Sequence, residues 1–124
     1  MVQAPERTNG AAGAVIDEAI GLRYAGNKPD LYLRLLRRFQ ETQQDLPARI
    51  EAAREAADHT EAYRLAHTLK SAAATIGAVQ LSALAQLLEA RCHELQAVPP
   101  GDEFAALCQA LTEVMAGIEA RLAT

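Results

Sequence analysis

The sequence predicts an all-α fold: an antiparallel up-down four-helix bundle with an additional short N-terminal helix. Three observations carry that expectation. Apolar residues return at three- and four-residue spacing through several long segments, and neither a strand pattern nor an internal repeat accompanies them. Aromatic residues are only 4% of the chain and Trp is absent, so Leu, Ala, Ile and Val must build the core, which suits close-packed helices. The connections are short and punctuated by Gly, Pro and Asp, so consecutive helices should run antiparallel as neighbours.

The elements follow in order. Residues 1–13, MVQAPERTNGAAG, are aperiodic and read as a linker; residues 14–124 read as one domain, as a length of 124 allows. A short helix is expected from about Ala14 to Arg23, broken by AGNKPD. Pro29 then opens a helix to about Gln44, with Tyr32, Leu35, Leu36 and Phe39 at helical spacing. Asp45 can cap a fresh start with Pro47 in its first turn, and Leu46, Ile50, Ala53 and Ala57 continue the apolar stripe. In DHTE, Asp58 and Thr60 are alternative N-caps of the next helix, which Gly77 stops. A helix over about Val79 to Ala97 is expected to bury Leu81, Leu84, Leu88 and Leu95. After a VPPGDE loop, the last helix carries one continuous stripe: Phe104, Leu107, Cys108, Leu111, Val114, Met115, Ile118 and Leu122.

Composition limits the functions available. The net charge of -4 and pI near 5.3 argue against nucleic acid as a partner. No segment is long and apolar enough to span a membrane, and no direct membrane contact is expected. Cys92 and Cys108 form no CxxC and read as buried free thiols in a reducing compartment.

One segment resists a purely architectural account. In YRLAHTLKSAAATIG, placed on a helix at about 100° per residue, Leu65, Leu69, Ala72 and Ile76 gather on one side, flanked by Ala62 and Ala73. His67 falls on the opposite side with Tyr63, Arg64, Lys70, Ser71 and Ala74. Lys70 and Arg64 stand one turn away on either side, where they would favour an anion on the ring. Ser71 and Ala74 are short enough to let a partner protein approach. An exposed imidazole, adjacent cations and a cleared surface suit a phosphorylatable histidine. The plainer alternative is an ordinary surface histidine among solvated charges, with Ser71 and Ala74 as helix filler.

AHTLKSAAATIGA resembles the signature of the histidine-containing phosphotransfer (HPt) domain family: His, two residues, Lys, usually Gly, a run of small residues, and Gly ten positions after the His. Here these are His67, Lys70, Ser71 and Gly77. GLRYAGNKPDLYLRLLRRF is similar to the family's opening segment and LSALAQLLEAR to its following helix. The position after Lys70 departs from the usual Gly; Ser71 is still small, so docking should survive with some change of partner preference.

The resemblance implies a four-helix bundle in which His67 carries a phosphoryl group between receiver-domain aspartates. It implies a carrier rather than an enzyme, monomeric as an isolated domain, with no cofactor of its own, the Mg²⁺ site belonging to the partner receiver. No glycine-rich ATP loop is present to make it a kinase. A cytoplasmic location follows, either as a free relay protein or within a hybrid sensor kinase, and the linker-like first residues favour the latter. His67 needs Nε2 free and Nδ1 protonated and held. In the chemotaxis-kinase branch an acidic residue at the position of Glu89 bonds Nδ1–H. Chain geometry agrees: Gly77 lies ten residues after His67 and Glu89 twelve after Gly77, so antiparallel helices put them at similar heights. Glu89 stands to one side of the leucine stripe and could instead pair with His93 at i,i+4. Gln86 is a weaker holder, and Lys70 would steady the phosphoryl oxygens.

Two rival readings compete with this one. A di-metal bundle needs Glu-x-x-His pairs, which are absent, and His59, His67 and His93 lie apart in the sequence. A degenerate bundle could dock a partner without relaying phosphate, but the presence of both His67 and Lys70 argues for chemistry.

Overall fold

The computed structural model describes residues 15–124; the linker reading of residues 1–13 and the proposed helix start at Ala14 lie outside them. The described elements are α1 (Glu18–Tyr24), α2 (Pro29–Gln43), α3 (Leu46–Glu55), α4 (His59–Ile76), α5 (Val79–Leu95) and α6 (Gly101–Leu122). The protein is all-helical. Gln44 stays in the right-handed helical region and Asp45 close to it, so the chain bends between α2 and α3 without reversing. The pair forms one bent wall. α2 packs on α4 and α6, α3 on α4, α4 on α5, and α5 on α6, which closes the four-helix ring.

Local chemistry explains most boundaries. Pro29 occupies the first turn of α2, where no amide hydrogen is required. Asp58, not Thr60, caps α4, accepting from the Glu61 amide at 3.0 Å. Asp45 makes no side-chain cap bond, contrary to expectation. Asp102 and Glu103 do not sit in a loop; they form the first turn of α6, where acidic charge suits the helix dipole.

Tyr32, Leu36, Phe39, Leu69, Ile76, Leu81 and Ile118 are buried in the core, and each such side chain contributes roughly 1.5–3 kcal/mol by leaving water. Two expected stripe members lie outside it. Leu95 is in the last turn of α5 and is 45% exposed. Ala57 follows the end of α3 with φ 52° and is exposed, because the chain must turn there to start α4. Of the cysteines, Cys92 is buried and Cys108 half-buried, both as free thiols.

α1 braces the turn that ends α4. Gly77 has φ 86°, and its carbonyl accepts from the Asp17 amide at 2.7 Å. Tyr32 Oη donates to the Ile76 carbonyl at 3.0 Å. Gly21 packs so closely that a Cβ there would sit 2.6 Å from the Ile76 carbonyl oxygen. The α4–α5 reversal is thereby fixed in height and direction.

Candidate functional site

α4 and α5 form the most extensive helix pair. Ala66, Ala73 and Ala85 are fully buried, and their small size lets the two backbones approach closely. Ser82 Oγ donates to the Lys70 carbonyl at 2.8 Å, tying α5 to α4 at the level of the motif. Most of the small residues near His67 therefore serve helix packing. Ser71 is exposed and Ala74 half-buried on the His67 side.

His67 stands mid-helix on α4 with its side chain 56% exposed. Its Nδ1 lies 2.5 Å from Glu89 Oε2, while Lys70 Nζ donates to Glu89 Oε1 at 2.7 Å. Glu89 is more enclosed than its place beside the leucine stripe implied, with a side chain only 11% exposed. It pairs across helices, so the i,i+4 alternative with His93 is not realised.

Burial alone would push the Glu89 carboxyl upward. The hydrogen bonds and charges of Lys70 and His67 outweigh it and hold the group below its ordinary value. Glu89 is thus an anion and can only accept, so Nδ1 must supply the proton of the shared bond. In the neutral imidazole this leaves the lone pair on Nε2, the ring nitrogen not engaged by Glu89. The three residues can hold a nucleophilic imidazole in one tautomer at the protein surface.

The remaining sequence candidates divide. Arg64 does not flank the imidazole with free positive charge. Its guanidinium makes two bonds to Glu61, at 2.9 and 2.8 Å, drawn toward the N-terminal end of α4 and away from His67. Gln86 is exposed on α5, one turn before Glu89, and has no hydrogen bond among the described residues. Sequence reasoning missed the part played by Tyr63. Its ring stacks on His67 with centroids 6.2 Å apart and planes 6° from parallel, and lies 6.3 Å from the His93 ring. The three histidines are consequently less scattered than their numbering implied: His59, Tyr63 and His93 line one cavity of about 170 Å³. The i,i+4 spacing of Tyr63 and His67 was the available signal.

Fold and site together define a helical bundle that presents one tethered imidazole beside a lysine at its surface. The Hpt domain family model matches residues 34–120, from within α2 to near the end of α6, and the chain belongs to this family. Hpt domains carry out histidine phosphotransfer in two-component signalling, are carriers and not kinases, and interact with the receiver domains of response regulators. No curated protein and no solved structure matches the chain. Among the described residues, no helix is long and apolar enough to cross a membrane.

Proposed function

We propose that His67 is the phosphoryl carrier of a phosphorelay, accepting from the aspartyl phosphate of one receiver and passing the group to the aspartate of another. The observation that carries this reading is the Nδ1–Glu89 bond, which commits the ring proton and leaves Nε2 as nucleophile. Attack by Nε2 forms the N–P bond as the acyl phosphate P–O bond breaks, and the aspartate leaves as a carboxylate. The ring keeps its Nδ1 proton and becomes cationic, and the buried Glu89 carboxylate faces that charge.

Lys70 acts first by holding Glu89. One of its three N–H donors is used there, leaving two for incoming phosphoryl oxygens. The receiver supplies Mg²⁺; nothing in the proposed chemistry requires a metal on this chain. Ser71 and Ala74 clear the receiver's approach. Two free thiols suit the reducing cytoplasm in which such receivers work.

The test is acid-labile labelling by a phosphorylated receiver. The wild-type protein should take up label and release it to a second receiver. Stable labelling at another residue, or none at all, overturns the assignment.

A further inference from the structure

Resting on that reading of His67, we infer that Tyr63 is a positioning residue: its ring, stacked on the His67 imidazole and backed by His93, holds the imidazole with Nε2 presented for transfer. Glu89 alone does not settle the orientation of the ring. One hydrogen bond at Nδ1 restrains the ring's two torsions through a single edge atom and places nothing against either face of the ring. His67 is 56% exposed, so surrounding protein does little to confine the ring. The parallel ring of Tyr63, one turn earlier on α4, closes one flank. Tyr63 would itself be mobile as an exposed side chain, but the tilted ring of His93 meets it from α5. The imidazole is thereby bounded by both helices.

The stack persists through the reaction. Transfer turns the imidazole into a phospho-imidazolium, and an offset parallel aromatic neighbour of this kind contributes about 0.5–1.5 kcal/mol beyond the area it buries. Tyr63 is 37% exposed, and its hydroxyl has no hydrogen bond among the described residues. The flat ring, not the hydroxyl or the fold it supports, is the functional feature.

The inference is tested with phosphoramidate as the phosphoryl donor, which removes receiver docking from the measurement. Its P–N bond breaks as the Nε2–P bond forms, and ammonia leaves the N-protonated donor. Wild type, Tyr63→Phe, Tyr63→Leu, Tyr63→Ala and His67→Gln are compared, with thermal unfolding followed alongside. Tyr63→Phe should label at close to the wild-type rate. Tyr63→Leu and Tyr63→Ala should be slower by about two- to tenfold, the range an aromatic pair commands, with unchanged unfolding. Wild-type rates in Tyr63→Ala or Tyr63→Leu overturn the role of the stack. A Tyr63→Phe variant as slow as Tyr63→Ala also overturns it, since the hydroxyl would then be responsible. Failure of the wild type to label on His67 instead overturns the reading of His67 itself, so the two failures are distinct.

Discussion

The middle and the C-terminal end of α4 are held in place by different means. At the end, backbone groups are what is held: Gly77 in the left-handed region, the Asp17 amide on its carbonyl, Gly21 against Ile76, and the Tyr32 hydroxyl on the Ile76 carbonyl. In the middle, side chains are held: Glu89 joins His67 and Lys70 across helices. The first arrangement sets the height at which α5 returns, and the second uses that height to bring Glu89 opposite His67. Damage to the turn should therefore appear in stability, and damage to the middle in chemistry.

The sharpest test of this division is His67→Gln. Phosphoryl acceptance should be abolished. Unfolding should move little, within about 1 kcal/mol, because Lys70 still bonds Glu89 and the Gln amide can donate in place of Nδ1. A large loss of stability measured by denaturant titration would show that the imidazole also supports the fold.

Glu89→Ala should come next. It removes a hydrogen bond to the imidazole of a kind worth about 1.5–3 kcal/mol when one partner is charged, so phosphoryl transfer should slow by roughly 10- to 100-fold. Receiver affinity should change much less, because only 11% of the Glu89 side chain is exposed for contact. Stopped-flow transfer and equilibrium binding separate the two quantities. Equal losses in both would make Glu89 a docking residue.

Gly77→Ala probes the other region. The residue must keep φ near 86°, and the added Cβ would collide with the Asp17 carbonyl. A cost of about 1–3 kcal/mol is expected from such backbone strain. The folded fraction should still label on His67. Normal stability would mean that α1 can lift off the turn without penalty.

The sequence showed these two regions unequally. Gly77 and the apolar stripe of α4 announce themselves, since helix period and a glycine stop are local signals. His67 was legible as an exposed residue for the same reason, whereas Glu89 came through the family resemblance, with the height match across Gly77 in agreement and pairing with His93 left open. What the sequence hid was the division of cations. Arg64 and Lys70 look equivalent around His67, but Arg64 bonds Glu61 on its own helix while Lys70 bonds Glu89 on the next. A helical wheel shows which face a long side chain leaves, not which of several carboxylates it reaches. Leu95 misled for a related reason: its period is right, but the helix ends beside it and leaves it in solvent.

The smallest expected effect links the site back to stability. In the folded protein the Glu89 carboxyl is held below its ordinary value because Lys70 and His67 outweigh the effect of burial. When the protein unfolds, those partners are lost and the carboxyl binds a proton more readily. The stabilisation is therefore fully present above the ordinary carboxylate pKa and is lost as pH falls through the lowered folded value. Glu89→Gln removes the titrating group while keeping its shape. The stability difference between wild type and Glu89→Gln should thus shift against the wild type on acidification below about pH 4.5, the ordinary value for this group. Urea titrations of both proteins across that range measure the shift directly. A difference independent of pH would mean that Glu89 gains as little from its partners in the folded state as in the unfolded chain, and that its enclosure between α4 and α5 is a matter of packing.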